Sequence, residues 1–472
     1  MKLLSTAEII NTNERMFFMY KIDSDIADEF INHDEIMSTI DYIQKNKSNK
    51  SLAQNILHKA ENFTGLNYKD AAILLECDDA EINQQIFDLA GRVKKKFYGN
   101  RIVMFAPLYI SNYCVNGCVY CPYHFKNKNM PRKKLSQTEI KNEVIALQDM
   151  GHKRLALETG EDPVNCPIDY VLESIKTIYS IKHKNGAIRR INVNIAATTI
   201  ENYKKLHDAG IGTYILFQET YNKKNYELLH PYGPKHNYNY HTEAMDRAML
   251  GGIDDVGLGV LFGLNSYRYD FIGLLMHAAH LEKKFGVGPH TISVPRIRPA
   301  NDIDTNDFNC VPDKIFEKIV AVLRIAVPYT GMIISTRESA TTREKVLRLG
   351  ISQISAASST SVGGYTEKNN ECAQFDLNDT RTLDEIVRWL LQLGYIPSFC
   401  TACYRENRTG DGFMNLLKAG QIANCCQPNA LITLKEYLED YASPQTKLIG
   451  EKVIRDEIQN IPNEKIRQLV QN

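Results

Sequence analysis

Three cysteines fall within eight residues of this 472-residue chain, in the stretch CVNGCVYC. Thiolates are soft ligands that select iron–sulfur clusters or zinc over magnesium and calcium. A [4Fe–4S] cluster that only carries electrons normally takes four thiolates, so Cys114, Cys118 and Cys121 would leave one iron open to a further ligand. Zinc would need a fourth ligand, and His124 stands three residues beyond Cys121. The spacing alone leaves a cluster, a zinc ion and a purely structural loop as alternatives.

A second group of cysteines lies near the end of the chain. Cys400 and Cys403 form a CxxC pair, and Cys426 follows with 22 residues between. Three thiolates again suffice for a [4Fe–4S] cluster with one free iron. A zinc ribbon is the alternative, because the adjacent Cys425 could supply a fourth thiolate. Cys425 also leaves open which of the two neighbours would be the third cluster ligand.

The composition restricts the class of protein. Eleven cysteines, an odd number with two tight groups, indicate metal chemistry in a reducing compartment better than a disulfide framework. Lys plus Arg equals Asp plus Glu at 56 each, so we expect neither a nucleic acid nor a membrane surface as partner. The first residues lack the pattern of a secretory signal, and no apolar run reaches membrane-spanning length. We therefore expect a soluble protein that is not secreted.

The hydrophobic pattern divides the chain into three regions. Residues 1–98 show apolar residues at three- and four-residue intervals, which predicts a helical appendage. Residues 99–375 alternate short apolar runs with amphipathic segments, and residues 376–472 form a third, mainly helical region with the second cysteine group. The eight runs are RIVMFAPL, KRLALETGED, RRINVNIAA, GTYILFQET, DDVGLGVLFGL, HTISVPRIRP, GMIISTRES and ISQISAASST. Their number favours an α/β fold with a (β/α)₈ TIM-type barrel, although an open doubly wound sheet has the same local rhythm.

Polar residues follow the runs, where either architecture places its chemistry. The first three thiols follow run one, and ETGED closes run two. Arg296 and Arg298 lie near the end of the sixth run and Arg337 near the end of the seventh. A guanidinium at such a position can bind a carboxylate in bidentate fashion, which makes these arginines candidate substrate ligands. The alternative is a structural ion pair with a barrel carboxylate such as Glu338.

The stretch CVNGCVYC, with an aromatic residue before its third cysteine, resembles the signature of radical S-adenosylmethionine (SAM) enzymes. The resemblance implies that the three thiolates hold a [4Fe–4S] cluster whose open iron chelates SAM, and that reductive cleavage yields a 5′-deoxyadenosyl radical. It also implies that Tyr120 lies near the adenine. TGED resembles the family's Gly-Gly-Glu element, with Thr159 in place of the first glycine, so that Thr159, Gly160 and Glu161 would bind SAM and Glu161 would contact its amino group.

Longer segments resemble one family among these enzymes, the tyrosine-cleaving [FeFe]-hydrogenase maturases of the HydG family. They span residues 100 to 450 approximately and include FAPLYISNYCVNGC, INVNIAATTIENYKKL, GPHTISVPRIRPA and GYIPSFCTACYRENRTG. The resemblance implies cleavage of L-tyrosine to p-cresol and dehydroglycine. A second [4Fe–4S] cluster on Cys400, Cys403 and Cys426 would help convert dehydroglycine to carbon monoxide and cyanide bound at iron.

The same resemblance assigns roles to two further residues. Arg337 becomes the favoured ligand of the tyrosine carboxylate. His290 would help hold an additional iron at the C-terminal cluster; imidazole suits ferrous iron, but a lone histidine at the start of a strand is more often structural. Because two clusters must exchange an intermediate, we predict an internal channel with Asn192, Asn194 and Gln218 in its lining.

The implied partners are an electron donor such as ferredoxin or flavodoxin and the hydrogenase maturation proteins that receive the iron product. Open clusters are readily oxidised, so we expect an anaerobic cytoplasm or the matrix of an anaerobic organelle. Two alternatives remain. One is a thiamine-type tyrosine lyase with structural zinc at the C-terminal cysteines, and the other is a non-catalytic iron–sulfur scaffold that does not cleave SAM.

Overall fold

The computed structural model describes residues 19–303, 305–306, 308–367, 371–405, 409–418 and 422–471, so the first 18 residues of the predicted helical appendage lie outside it. The strands are β1 Arg101–Ser111, β2 Arg154–Thr159, β3 Lys182–His183, β4 Gly186–Ala187, β5 Arg190–Asn194, β6 Tyr214–Ile215, β7 Val256–Gly259, β8 Thr291–Ser293, β9 Gly331–Ile334, β10 Gln353–Ser355 and β11 Ile396–Ser398.

The helices begin outside the barrel and then alternate with its strands. They are α1 Ala27–Phe30, α2 His33–Asn46, α3 Lys50–Ala60, α4 Tyr68–Glu76, α5 Ala80–Tyr98, α6 Gln137–Met150, α7 Ile168–Ser180, α8 Ile200–Asp208, α9 Lys223–Leu229, α10 Tyr238–Thr242, α11 Ala244–Leu250, α12 Tyr267–Phe285, α13 Asp313–Ala326, α14 Ala340–Leu349, α15 Leu383–Gln392, α16 Ala402–Arg405, α17 Gly410–Lys418, α18 Ile422–Asp440, α19 Pro444–Ile458 and α20 Glu464–Gln471, with a 3₁₀ turn at Pro234–His236. No helix in the described ranges is both long and apolar enough to cross a membrane.

Eight parallel strands close into a barrel. The order is β1, β2, β5, β6, β7, β8, β9 and β10, and β10 returns to β1 through the register Val103↔Gln353 to Phe105↔Ser355. Seven of these strands lie within one of the eight predicted runs each, and β1 begins with the first run and continues three residues past it to Ser111. The predicted barrel is therefore confirmed, and the β1–β10 pairing excludes the open sheet.

The continuous apolar runs follow from burial on both faces of the sheet. Along β1, ten of the eleven residues are buried, against the helices on one side and the barrel interior on the other. The helices between strands have clear termini: Ser136 and Glu139 form a reciprocal capping box at the start of α6. Gly151 ends that helix in the left-handed region, with φ 100°. Capping residues of this kind fix where a helix begins and ends, and therefore where the chain enters the next strand.

The described N-terminal helices pack on the outer surface of the barrel, against α12, α13 and α14. The ring of Phe30 stacks on His280 at 3.8 Å between centroids, and the Tyr98 hydroxyl donates to the Tyr329 carbonyl at 2.8 Å. Buried Lys318 donates to the carbonyl of Cys77. These contacts place the helical region away from the carboxyl ends of the strands.

The C-terminal region joins the barrel at the opposite end from its carboxyl-terminal mouth. Strand β11 pairs with the first residues of β1, from Arg101↔Ile396 to Val103↔Ser398. Helices α15, α18, α19 and α20 pack around this strand and on one another. The sequence did not predict β11, because a three-residue strand is too short to show a period. Its consequence is that the second cysteine group begins directly below the barrel.

Candidate functional site

A cavity of about 220 Å³ lies at the carboxyl ends of the barrel strands. It is lined by residues from the loops after β1, β2, β8 and β9. Among the residues predicted from the sequence it receives Cys114, Cys118, Cys121, Tyr120, Thr159, Gly160, Glu161, Arg298 and Arg337. The barrel thus brings together segments more than 200 residues apart in the chain.

Backbone hydrogen bonds hold the cysteine loop at three points. The Val115 amide donates to the Glu161 carbonyl at 2.8 Å, the Gly117 amide to Tyr232 at 3.0 Å, and the Val119 amide to Leu229 at 3.0 Å. A Cβ on Gly117 would stand 2.9 Å from the Tyr232 ring, so a glycine at this position allows Tyr232 to pack closely on the loop. Backbone contacts with neighbouring segments therefore fix the path of the loop.

The three thiols are desolvated. Burial raises the pKa of Cys121 to about 12 and that of Cys114 and Cys118 above the usual range, and the Asn116 amide nitrogen lies 3.7 Å from the Cys114 sulfur. Among the described residues, no three His, Cys, Asp or Glu side chains are placed to hold a single metal ion. His124 instead faces Asp302, at 3.4 Å between Nε2 and Oδ2.

The arrangement of these side chains fits an iron–sulfur cluster better than a zinc ion. A zinc site needs four ligands within about 2.0–2.3 Å of one point, which this loop and His124 do not provide. A cubane cluster binds each thiolate at a different iron, so its ligands need not converge on one point. Three thiols around one cavity, with no fourth, fit a [4Fe–4S] cluster with an open iron.

The ETGED segment packs directly on the cysteine loop. A Cβ on Gly160 would lie 2.3 Å from the Tyr113 carbonyl, and the Gly160 amide donates to Ser111 at 3.0 Å. The Glu161 carboxylate accepts a hydrogen bond from the Asn116 amide at 2.6 Å, and burial raises its pKa. Thr159 bonds only locally, to the Gly160 carbonyl at 3.1 Å. The glycine is thus required by close backbone approach, and the carboxylate is held at the cavity wall.

Tyr120 lines the cavity, and a hydrogen bond between its hydroxyl group and a buried histidine holds it in place. Its hydroxyl and His230 Nε2 are 2.7 Å apart, and burial lowers the pKa of His230 to about 2 and keeps its imidazole neutral. The ring is therefore fixed edge-on against His230, with an interplanar angle of 83°. A fixed aromatic ring beside the cysteine loop is a suitable wall for a planar base.

The structure distinguishes the three predicted arginines. Arg296 does not line the cavity: its guanidinium donates from Nε to Glu338 at 2.8 Å and from Nη1 to the Val311 carbonyl at 2.7 Å. Arg298 lines the cavity but also donates to Glu338. Glu338, which the sequence suggested as a structural partner for one of these arginines, is therefore paired with Arg296 and Arg298. Arg296 is a structural ion-pair residue and is not a candidate for substrate binding.

Arg337 has a different environment. Its guanidinium carbon lies 3.5 Å from the centroid of the Phe375 ring. Within the described part of the chain, no side chain or carbonyl forms a hydrogen bond or ion pair with this guanidinium. Burial lowers the pKa of Arg337 from its usual value. A guanidinium is so strongly basic that it stays a cation in proteins. The cavity therefore contains a positioned cation whose donors are available to a ligand.

Sequence reasoning missed Glu158, which lines the same cavity. Burial raises its pKa to about 8, although the Asn194 amide and Arg337 both favour the ionised form. The carboxyl group is therefore mostly protonated at neutral pH and does not neutralise Arg337. The signal was the alternation along β2, since residues 154, 156 and 158 point into the barrel.

A second cavity, of about 60 Å³, lies at the amino ends of the strands. Cys400, Cys403, Cys426 and His290 all line it, with Arg101 and Arg154. Cys425 does not, so the structure favours Cys426 as the third member of the group. A hydrogen bond with Cys426, together with burial, raises the pKa of Cys403.

His290 reaches this second cavity from the start of β8. Its Nδ1 lies 3.3 Å from Oδ1 of Asp255, and burial lowers the pKa of the imidazole, which keeps it in the neutral form that metals bind. The guanidinium of Arg190 lies 3.6 Å from the other oxygen of Asp255. Arg154 donates to the Cys400 carbonyl at 3.1 Å and so ties the cysteine loop to the barrel wall.

The two cavities lie on one axis and share no lining residue. Val103 faces the lower cavity and Tyr109 the upper, on the same strand. Phe105, Ala156 and Ile333, which line the upper cavity, form a small apolar cluster on the side of the lower cavity. The predicted channel is thus interrupted by one apolar layer.

Only one of the three residues predicted for the channel lining is in place. Asn194 lines the upper cavity. Asn192 accepts a hydrogen bond from the Thr213 amide at 3.1 Å, and Gln218 donates to the Thr242 hydroxyl at 2.9 Å. Both of those side chains lie outside the linings of these two cavities.

Two family models match the barrel. Residues 108–275 match the Radical SAM superfamily, and residues 293–396 match the Biotin and Thiamin Synthesis associated domain. Among characterised relatives, 2-iminoacetate synthase of Salmonella typhimurium is 30% identical over 342 residues, which cover 72% of this chain and 89% of the relative. The [FeFe] hydrogenase maturase subunit HydE of Thermotoga maritima is 28% identical over 318 residues, 64% of this chain and 82% of the relative.

Two solved structures are similar over nearly the whole chain. A crystal structure of HydG, a maturase of the [FeFe]-hydrogenase, is 56% identical with a TM-score of 0.91 and covers 94% of this chain and 96% of its own. The X-ray structure of HydG from Carboxydothermus hydrogenoformans is 40% identical with a TM-score of 0.84 and covers 95% and 99%. The similarity therefore includes the C-terminal region as well as the barrel.

Proposed function

The chain belongs to the HydG family of radical SAM enzymes, and on that premise we propose that it cleaves L-tyrosine to p-cresol and dehydroglycine. At the second cysteine site the two-carbon fragment becomes carbon monoxide and cyanide bound to iron, for maturation of [FeFe]-hydrogenase. The observation that carries this proposal is the pair of cysteine triads at opposite ends of one barrel, each lining its own cavity.

Cys114, Cys118 and Cys121 are the residues that would hold a [4Fe–4S] cluster in the upper cavity. When bound with SAM, such a cluster supplies a 5′-deoxyadenosyl radical on reduction. Glu161, held by Asn116, is placed to accept hydrogen bonds from the amino group of SAM. The buried walls of the cavity exclude water, which protects radical chemistry from side reactions.

The substrate's carboxylate binds Arg337. Its guanidinium is oriented by Phe375 and keeps its donors for the ligand, so it can form a bidentate pair. Glu158 retains its proton at neutral pH and therefore does not compete for the cation. Arg337 thereby fixes the amino-acid end of tyrosine, and the apolar layer at Phe105 and Ile333 lies below it.

Cys400, Cys403 and Cys426 would hold the second [4Fe–4S] cluster, and neutral His290 would bind the additional iron beside it. Arg101 and Arg154 give the lower cavity two cationic side chains, which favours an anionic two-carbon fragment. The position of Cys425 outside the cavity lining and the lack of a single-ion ligand set in the described ranges weigh against the structural-zinc alternative.

The partners follow from this chemistry. A protein electron donor such as ferredoxin or flavodoxin reduces the first cluster, and hydrogenase maturation proteins accept the iron product. Open iron sites require an anaerobic compartment, which we propose to be the cytoplasm of an anaerobe or an anaerobic organelle matrix.

Anaerobic turnover tests the proposal. The iron-reconstituted wild type, given SAM, L-tyrosine and dithionite, is expected to form 5′-deoxyadenosine and p-cresol and to contain about eight irons per chain. Cys118→Ser should lose both products, whereas Cys310→Ser, which changes an exposed thiol, should keep them. About four irons plus zinc would favour the thiamine-type lyase, and wild-type protein that leaves SAM intact would favour the scaffold.

A further inference from the structure

In the loop from Cys114 to Cys121, Val119 is the most exposed residue. Val119 is 45% exposed, although Cys118 beside it is only 6% exposed. One residue therefore separates solvent from a thiol that faces the upper cavity.

Large apolar side chains surround that point. Leu228 is 69% exposed, Tyr232 50% and Phe125 37%. The Val119 amide bonds to the carbonyl of Leu229, next to Leu228, and the rings of Phe125 and Tyr232 meet edge-to-face at 5.8 Å. We call Val119, Phe125, Leu228 and Tyr232 the loop patch. Exposed hydrophobic residues that adjoin one another in this way mark an interaction surface more often than isolated ones do.

Lysines stand beside the loop patch. The Lys126 ammonium lies 4.2 Å from the centroid of the Tyr232 ring, and Lys128 donates to the Phe125 carbonyl at 3.3 Å. Neither forms an ion pair with a carboxylate in the described ranges. Residues 122 to 138, directly after the third cysteine, contain five Lys or Arg and no Asp or Glu. Opposing carboxylates are present as well: exposed Glu227 precedes Leu228, Asp302 faces His124, and Glu367 pairs with Lys133 of this segment.

We propose that the loop patch and its lysines form the docking surface for a small acidic electron-transfer protein that reduces the first cluster. The inference rests on the proposed function, since it assumes that this loop holds a cluster. Exposed cations with few opposing charges steer an acidic partner, and a small apolar centre gives the weak, short-lived contact typical of redox complexes. The partner's cofactor would approach over Val119, next to the thiol of Cys118.

Charge reversal tests this surface. The double variant Lys126→Glu/Lys128→Glu is compared with wild type for 5′-deoxyadenosine formation driven by reduced flavodoxin of net negative charge and, separately, by dithionite. The control is Lys45→Glu/Lys204→Glu, which makes the same charge change on α2 and α8. At low salt and with flavodoxin below saturation, the test variant should form 5′-deoxyadenosine more slowly than wild type by about tenfold or more. Its rate should also depend much less on salt concentration than the wild-type rate does.

With dithionite, both variants should match wild type, because a small reductant needs no docking surface. The proposal would be overturned if the rate of the test variant depended on flavodoxin concentration as the wild-type rate does. It would also be overturned if the test variant were slowed to the same extent with flavodoxin and with dithionite. Leu228→Ala gives a second measure, with a higher flavodoxin KM expected and no change with dithionite. Wild type that fails to cleave SAM even with dithionite would instead refute the proposed function.

Discussion

The guanidinium of Arg337 stacks on the ring of Phe375, 3.5 Å from its centroid, while Glu338, the next residue in the chain, is taken by Arg296 and Arg298. Adjacent residues after β9 thus have opposite roles. Glu338 closes a buried ion-pair network, and Arg337 is left with its donors directed at no protein acceptor among the described residues. In our account this separation is what makes the upper cavity a site for an amino acid.

Replacement of Arg337 by lysine should weaken tyrosine binding specifically. Lysine keeps the charge but loses the planar fork and the stacking on Phe375, so kcat/KM for tyrosine should fall by about a hundredfold, or about 3 kcal/mol. Cleavage of SAM in the absence of tyrosine should continue. Arg348→Lys, on exposed α14, is the control. An unchanged KM for tyrosine in Arg337→Lys would rule out this carboxylate contact.

Glu158 should give tyrosine binding a pH dependence. Burial raises the pKa of its carboxyl group to about 8, so below that pH the group is neutral and Arg337 is available. As the pH rises through about 8 the carboxylate forms and pairs with Arg337, and the wild-type KM for tyrosine should increase. Glu158→Gln stays neutral, so its KM should lack this increase. The substrate's own titration is common to both proteins, and parallel profiles would contradict the prediction.

The apolar layer should control passage of the two-carbon fragment from the upper cavity to the lower one. Ala156, Phe105 and Ile333 separate the two sites, so Ala156→Leu, which adds three carbons to this layer, should leave p-cresol formation nearly intact and lower carbon monoxide by about tenfold. The retained two-carbon fragment should leave through the mouth and accumulate in solution. Ala156→Ser, nearly equal in volume, is the matched control. If Ala156→Leu lost both products in proportion, the layer would have no separate role in transfer.

The sequence predicted the barrel because each strand is a continuous apolar run with a polar end. The strand pattern alone did not separate Arg296 from Arg337, since both lie at strand ends; the family resemblance favoured Arg337, and the position of Glu338 supports that choice. It also missed Glu158, whose importance depends on burial and on the cation opposite. Such properties arise from residues that are distant in the chain, and no local pattern reports them.

The C-terminal cysteine site also shows what local sequence patterns leave undetermined. The spacing of Cys400, Cys403 and Cys426 predicted a metal group, and the similarity to solved HydG structures extends over that region. The location of the group beneath the barrel depends on β11, a strand of three residues. The apolar layer that divides the interior depends on one side chain from each of three strands. Neither could be derived from periodicity.

The central claim is that the two cysteine triads perform successive halves of one reaction. The most direct measurement is anaerobic turnover of Cys403→Ser beside wild type, with p-cresol and carbon monoxide quantified from the same reaction with SAM and L-tyrosine. Our account predicts that the variant keeps p-cresol formation within about twofold of wild type and loses carbon monoxide, with iron falling from about eight to about four per chain. Carbon monoxide at the wild-type level, or loss of p-cresol in a variant whose first cluster is intact, would contradict it.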